Sequence, residues 1–350
     1  MNFRKLLFMA FAVLAFASCS DDDESLPYDN DLYKDGFYVL NEGWFGHESA
    51  TINHFDGKTW NWKVFAGNNA GMTLGSTGNT GIFTCNSMLA VSKMAPQVTK
   101  INTADFKCQG QISLDNNEQA SSIADIDGTT GILTTNTGVY TLLLEPLKLG
   151  TKIYEGFAGD VCVFGKHILA IVDKTIISFD AETYAVEKEI TAATTGFAMA
   201  SGSAWAANGN KLIKINNDLT FQEIELGEVE VNYNKWAYTP TCVQASASGK
   251  EIFFAAHEGA DIYKFDINAR TYSKFFTAPE GYATYGAGIA VHPRTGNVYI
   301  TMKVAGWDDY TTNIHVIDGR SGAEIEKIEY DKAKEDGSYT YWLPSQILFR

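Results

Sequence analysis

Basic residues are scarce in this chain. Its 350 residues include 27 Lys and Arg against 42 Asp and Glu, which gives a formal net charge of −15 at pH 7. A surplus of negative charge repels phosphate groups. The balance therefore argues against nucleic acid or an anionic lipid surface as a partner.

Motifs for catalysis and metal binding are also missing. The sequence has no HExxH, no GxSxG, no phosphate-binding loop and no calcium-loop spacing of acids. His47 and His54 are not expected to share a zinc ion, since His54 falls in a strand-like run beside Phe55. His257-Glu258 is the most acid/base-like pair, and we interpret it as a polar loop edge rather than a catalytic pair. We therefore predict no enzymatic activity, no cofactor and no metal.

Cysteine is infrequent and widely spaced. Beyond Cys19, the four cysteines are Cys85, Cys108, Cys162 and Cys242, each in an apolar or strand-like run. They lack the dense spacing of a disulfide scaffold or of a CxxC metal site. We predict that they are buried, unpaired side chains that pack as small hydrophobic groups.

The N-terminal apolar run, residues 6–17, is shorter than the ~20 residues that a spanning helix needs. Arg4 and Lys5 precede it, and Cys19 follows Ala17-Ser18. This is the pattern of a bacterial lipobox, so we predict a lipoprotein signal peptide over residues 1–18 and a lipid on Cys19 as the only membrane attachment. An ordinary secretory signal is the alternative.

Acidic residues follow Cys19 directly, as Asp21-Asp22-Asp23-Glu24. A run of like charges cannot fold, so residues 19–33 are predicted to be a solvated tether. The run resembles the surface-export signal of Bacteroidota lipoproteins. That resemblance implies an outer-membrane lipoprotein displayed on the cell surface; a plain spacer facing the periplasm is the alternative.

Residues 34–350 contain a repeat of strands. Runs rich in Val, Ile, Phe, Tyr and Thr recur between Gly, Asn and Asp, and no long stretch has a convincing helical period. The third strand of each unit ends at a turn, as in TIISFDAETYAVEKEI and DIYKFDINARTYSKFF. The turn residues are Asp56, Asn102, Asp180, Asn216, Asp266 and Asp318, with a weaker copy near Glu145. Their side chains suit the role because they can cap the turn that follows.

Four strands per unit of roughly 40 residues is typical of a β-propeller blade. The first unit begins at its second strand, FYVLNEG, and the chain ends in an unpaired strand, LPSQILFR. We therefore predict an all-β, seven-bladed β-propeller over residues 34–350, with four-stranded blades and a ring closed by pairing the C-terminal strand with the first blade. Two stacked β-sandwiches are the rival arrangement, and the single period counts against them.

In such a fold, the loops between second and third strands share one face with the loops between blades. Sorting the sequence by this rule collects large aromatic residues on that face, where a core does not require them. We predict ligand binding there. The candidate residues are Trp44, Phe45, His47, Trp236, Tyr238, His257, Tyr282, Tyr285, Trp307, Tyr310 and Trp342. The alternative is that these aromatic side chains pack on one another to stiffen long loops.

The stretches GFYVLNEGWFGHESATINHFD and YWLPSQILFR, with the repeat, the leader and the acidic tether, resemble a Bacteroidota family of propeller lipoproteins that is called YncE-like or surface-layer-like. The resemblance covers most of the mature chain. It implies a surface protein that captures a corrinoid such as cobalamin and works with a TonB-dependent outer-membrane transporter. A glycan is the next ligand to consider. A protein-docking or adhesion module, and a propeller lyase or hydrolase, are the competing hypotheses.

Overall fold

Strands make up nearly all the regular structure in the described part of the chain. A computed structural model describes residues 32–233, 243–306, 311–330 and 343–350. Within those ranges, the helical segments are α1, Val64–Asn68, and a single 3₁₀ turn, His257–Gly259. The expectation of an all-β fold is confirmed.

The strands are short, as the Gly-, Asn- and Asp-bounded runs predict. In chain order they are β1 Phe37–Asn41, β2 Thr51–Phe55, β3 Trp60–Asn61, β4 Gly78–Phe83, β5 Ser87–Ser92, β6 Val98–Asn102, β7 Cys108–Ile112, β8 Ala120–Asp125, β9 Thr130–Thr135, β10 Gly138–Leu144, β11 Leu147–Glu155, β12 Ala158–Phe164, β13 His167–Val172, β14 Thr175–Asp180, β15 Val186–Ala192, β16 Ala198–Ala200, β17 Ser203–Asn208, β18 Lys211–Ile215, β19 Phe221–Glu225, β20 Val243–Ala245, β21 Glu251–Ala256, β22 Asp261–Asp266, β23 Thr271–Thr277, β24 Tyr282–Val291, β25 Val298–Val304, β26 Thr312–Ile317, β27 Glu324–Glu329 and β28 Pro344–Leu348.

Consecutive strands pair antiparallel in groups of four. Five separate four-stranded sheets contain β4–β7, β8–β11, β12–β15, β16–β19 and β20–β23. A sixth sheet has eight strands in the order β27-β26-β25-β24-β28-β1-β2-β3. This is a propeller-like arrangement, because every sheet repeats the same up-and-down meander.

The C-terminal strand lies between the first and last meanders of the eight-stranded sheet. β28 pairs antiparallel with β1, with Val39 opposite Ile347 and Leu40 opposite Gln346. On its other side a single parallel pair, Ala287 with Gln346, connects it to β24. The two ends of the described chain therefore meet in one sheet.

Apolar clusters lie between neighbouring sheets. Trp205 of one sheet packs with Phe254 and Phe265 of the next, and similar clusters join the other consecutive pairs. One further cluster joins β1, β2 and β28 to β24–β27, with Phe37 and Ile347 among its buried members. Each sheet thus buries both of its faces. Successive positions of its strands are therefore apolar, as the apolar runs in the sequence indicate.

At the four predicted Asp positions, the turn between third and fourth strands is capped as expected, whereas Asn216 bonds to the hydroxyl of Thr220 instead. Asp266 Oδ1 accepts hydrogen bonds from the backbone N–H groups of Asn268 and Ala269, at 2.9 and 2.8 Å. Equivalent caps form at Asp56, Asp180 and Asp318. These backbone N–H groups, together with the neighbouring hydroxyl groups of Thr59, Thr183 and Ser321, hold the pKa of the Asp56, Asp180 and Asp318 carboxyls below the usual value.

One prediction about the cysteines is wrong. Cys85 is exposed, because it lies in the turn between β4 and β5. Cys108 and Cys162 are half-buried, and these three thiols are free. Cys242 lies outside the described residues.

A carboxylate ties together the inner strands of three sheets. Asp160 in β12 accepts hydrogen bonds from Ser122 Oγ in β8, at 2.7 Å, and from the backbone N–H of Phe197, which precedes β16, at 2.8 Å. Desolvation by the surrounding protein raises the pKa of Asp160, although the residue is only partly buried. These contacts hold the inner edges of the three sheets in register.

We predict that Asp160→Ala lowers the free energy of unfolding by about 1–3 kcal/mol, because two donors lose their acceptor. Urea denaturation followed by tryptophan fluorescence measures the change. Ser122→Ala is the matched control, since it removes one of the two contacts, and its loss should be smaller, at about 1 kcal/mol. Equal stability of Asp160→Ala and the wild type would contradict a tying role.

Candidate functional site

One face of the molecule is built from equivalent positions in successive sheets. After five of the second strands, the next residue donates its backbone N–H to the connection that leads into the same sheet. The five pairs are Glu42 N to Leu343 O, Lys93 N to Thr77 O, Asn136 N to Gln119 O, Asp173 N to Phe157 O and Ala305 N to Gly281 O, at 2.7–2.9 Å. We call this side, with the loops that follow β1, β5, β9, β13, β17, β21 and β25, the loop face.

The loop between β1 and β2 carries exposed aromatic side chains. Its tight turn is held by hydrogen bonds from the backbone N–H groups of His47 and Glu48 to the carbonyl of Trp44, both at 2.8 Å. The Trp44 and His47 rings stack with centroids 3.9 Å apart. Trp44 is 41% exposed and Phe45 is 57% exposed. Both rings therefore offer flat apolar surface to solvent.

Directly below this loop lies a buried carboxyl group. Glu42 is only 6% exposed, and its Oε2 accepts a hydrogen bond of 2.9 Å from the hydroxyl of Tyr285 in β24. Burial raises the pKa of Glu42 to about 7, against the opposing effects of that hydrogen bond and of the Lys93 cation. The group is therefore poised between its neutral and charged forms near pH 7.

Lys93 connects the buried carboxyl to the exposed loop. Its Nζ lies 5.2 Å from the centre of the Phe45 ring, within the range of a cation–π contact. Burial lowers the pKa of Lys93, and the Glu42 carboxylate opposes this shift. Glu42, Lys93, Tyr285, Trp44 and Phe45 form one group, which we call the Glu42 cluster.

A second feature of the loop face is a cavity of about 560 Å³. Asn208 lines it from the end of β17 and Glu258 from the 3₁₀ turn after β21, and Glu228 and Glu230 line it from the connection that follows β19. The three glutamates are exposed, so this cavity is acidic and open to solvent. Its polarity contrasts with the aromatic surface at Trp44 and Phe45.

The structure brings four of the predicted residues together. Trp44, Phe45 and His47 share one loop, and Tyr285 contacts Glu42 next to it. Tyr282 packs instead against the apolar cluster between two sheets. The sequence placed both tyrosines in a loop, whereas both lie in β24, because the ladder with β25 extends to the pair of Tyr282 with Val304.

Two histidines considered in the sequence analysis lie in regular elements. The backbone of His257 begins the 3₁₀ turn after β21. His54 is buried in β2 and its Nε2 bonds to the carbonyl of Asp35, at 2.5 Å, which is a scaffold role. The other predicted residues, Cys19, Trp236, Tyr238, Trp307, Tyr310 and Trp342, lie outside the described residues.

Sequence reasoning missed Glu42 and Lys93. Both occupy the first position after the second strand of a sheet, as Asn136 and Asp173 do in the next two sheets. Aligning the repeats on that position would have revealed a series of polar residues at one end of successive strands. The hydrogen bond between Glu42 and Tyr285 could not be predicted, because these residues are far apart in sequence. Their strands, β1 and β24, lie on either side of β28.

The chemistry of the Glu42 cluster suits binding. Aromatic surface supplies contact area at low entropic cost, and the carboxyl, hydroxyl and ammonium groups supply hydrogen bonds. Among residues 32–233, 243–306, 311–330 and 343–350, no group of three His, Cys, Asp or Glu side chains could hold a metal ion. In the same part of the chain, no helix is long and apolar enough to cross a membrane.

Comparison with known families identifies the chain. A family model described as a domain of unknown function, DUF5074, matches residues 35–350. The chain belongs to the DUF5074 family. The DUF5074 match includes the Glu42 cluster and β28, so the site and the paired chain ends both lie inside the family domain. No curated protein matches the sequence.

Solved structures share the fold of this DUF5074 chain. A quinonprotein alcohol dehydrogenase-like protein from Bacteroides thetaiotaomicron has a TM-score of 0.73 and 19% identity, over 91% of this chain and 78% of its own. A Bacteroides fragilis protein described provisionally as a 6-phosphogluconolactonase has a TM-score of 0.60 and 14% identity, over 93% and 100% of the two chains. Citrobacter koseri AztD has a TM-score of 0.51 and 11% identity, over 85% and 79%. At these identities the likeness concerns the fold alone.

Proposed function

We propose that this DUF5074 protein is a cell-surface binding protein that captures a ligand on its loop face. The observation that carries the proposal is the Glu42 cluster, where the exposed rings of Trp44 and Phe45 lie above a buried carboxyl group. Exposed aromatic residues beside buried polar groups are typical of recognition sites. The chain acts by binding, without catalysis.

The first ligand to test is cobalamin or a related corrinoid. A corrinoid is a large, flat molecule with a rim of amide groups. Trp44 and Phe45 offer flat apolar surface, and Glu42, Lys93 and Tyr285 offer hydrogen-bonding partners for such a rim. A glycan, whose sugar rings also stack on aromatic side chains, is the second ligand class.

The architecture we propose is a closed seven-bladed ring. Five four-stranded sheets and the two meanders of the eight-stranded sheet supply the blades. The apolar cluster that joins β24–β27 to β1, β2 and β28 supports closure between the last blade and the first. In this arrangement the loop face surrounds the central axis.

The cellular setting follows from the leader and the tether. We propose that a lipid on Cys19 anchors the chain to the outer membrane and that the acidic tether lets the propeller face outward. A TonB-dependent transporter is the proposed recipient of the ligand. The sequence pattern of residues 1–33 supports this setting.

A titration with cyanocobalamin tests the binding proposal. Lipid-free protein that begins at Ser20 should change the corrinoid absorbance spectrum and release heat at micromolar protein. Phe45→Ala should weaken binding by about tenfold or more, because it removes exposed contact area at the centre of the site. Isothermal titration calorimetry gives the dissociation constant.

Phe221→Ala is the matched control. Phe221 is another exposed phenylalanine, but it lies on the outer strand β19, away from the loop face. The affinity of Phe221→Ala for cyanocobalamin should equal that of the wild type. Absence of both the spectral change and the heat would make the corrinoid assignment wrong, and a glycan array would then test the second ligand class.

A further inference from the structure

Glu42 is buried with only half of its carboxyl group satisfied. Tyr285 donates to Oε2, whereas Oε1 is buried and has no hydrogen-bond partner among the residues that the structure describes. Buried acceptors in folded proteins are almost always paired, because an unpaired one loses its interaction with water and gains nothing in return. An unpaired oxygen of this kind therefore needs a reason.

The fold does not supply that reason. The main chain of Glu42 already performs the structural role, since its N–H donates to Leu343 O, at 2.9 Å, and its carbonyl accepts from Gly78 N, at 3.2 Å. These two bonds connect β1 to the start of β28 and to the start of β4. An apolar side chain at this position would keep both of them and would avoid the cost of a buried carboxyl.

The surroundings of Oε1 indicate the kind of partner that it lacks. Trp44 and Phe45 follow Glu42 directly after Gly43, so the open acceptor lies at the base of the exposed aromatic loop. Lys93 already supplies a nearby positive charge, which disfavours a second cation. A single carboxylate is also a poor metal site, since hard cations take several oxygen ligands.

We propose that Oε1 of Glu42 is a ligand contact, which accepts a hydrogen bond from a neutral donor on the bound molecule, a primary amide or a hydroxyl group. The proposal rests on the proposed binding function and specifies the chemistry of that same site. Because Oε1 is covered in the free chain, the contact requires a change in the Glu42 rotamer or a shift of the loop from Trp44 to His47. Binding is therefore coupled to one of these two local movements.

A crystal structure of the ligand-free protein tests the proposal without any ligand. The expected result is a Glu42 side chain with Tyr285 on one oxygen and no protein donor within hydrogen-bond distance of the other. A protein N–H or O–H group bonded to Oε1 would overturn the proposal. This test stands even where the corrinoid assignment fails.

A pair of corrinoids tests the donor chemistry. Cyanocobalamin carries amide N–H groups on its rim, and dicyanocobyrinic acid heptamethyl ester carries ester groups, which only accept. Glu42→Gln keeps the size of the side chain but presents an N–H group of its own. The wild type should favour cyanocobalamin, and Glu42→Gln should shift that preference toward the ester by about tenfold or more.

Comparing two variants with two ligands isolates this contact, because other differences between the ligands cancel. Glu189→Gln, on the exposed outer strand β15, is the control and should keep the wild-type preference. An unchanged preference in Glu42→Gln would overturn the proposal. Failure of the wild type to bind either corrinoid would refute the corrinoid assignment and leave the decision on Glu42 to the crystal structure.

Discussion

Deletion of residues 343–350 should leave the chain without a stable native fold. The deletion removes β28, which lies between β24 and β1, and exposes the pairing edges of both strands. It also removes Ile347 and Leu348, which are buried in two separate apolar clusters. The expected losses exceed the roughly 5–15 kcal/mol that stabilises a typical protein. Circular dichroism and urea denaturation of the truncated chain measure the result.

A matched pair of substitutions tests the same prediction in the full-length chain. Ile347 in β28 is 4% exposed, whereas Ile325 in the outer strand β27 is 55% exposed. Ile347→Asp should lower the free energy of unfolding by about 4 kcal/mol, because it buries a charge in an apolar cluster. Ile325→Asp should change it by less than about 0.5 kcal/mol. Similar losses for the two variants would contradict the central role of β28.

The strand repeat could be predicted because its signals are local. The turn caps at Asp180, Asp266 and Asp318 depend on residues two or three positions away, and the same spacing recurs along the chain. The partner of the C-terminal strand was also predictable, since the first repeat begins without an inner strand. The structure confirms that β28 pairs with β1.

The site was harder to predict from the sequence, because its contacts join residues that are distant in the chain. Aromatic residues draw attention in a loop, so Trp44 and Phe45 were selected as candidates. Burial is what makes Glu42 chemically unusual. Its hydrogen-bond partners Leu343 and Tyr285 are distant in sequence, so a local pattern does not reveal its surroundings. For the same reason, periodicity alone could not show that Tyr282 packs into a core.

The buried carboxyl of Glu42 should make the stability of the protein depend on pH. Burial raises the pKa of Glu42 from 4.5 to about 7 in the folded chain. Between these values the folded state holds a proton that the unfolded state has released, so stability falls as the pH rises. The shift corresponds to about 3 kcal/mol, which is present at low pH and lost as the pH passes through 7. Urea denaturation at intervals from pH 4.5 to 8 measures the change.

Glu42→Gln is the reference for this measurement, since its amide does not titrate and every other titrating group is common to both proteins. The wild type should lose stability relative to Glu42→Gln across the window from about pH 4.5 to 7, and the difference should level off above it. The Lys93 cation favours the charged form of Glu42, so it reduces the rise in the Glu42 pKa, and burial remains the larger effect. A difference that stays constant from pH 4.5 to 8 would mean that Glu42 titrates alike in the folded and unfolded chains. A difference that grows in favour of the wild type would mean that the folded state stabilises the carboxylate, which would contradict a Glu42 pKa raised by burial.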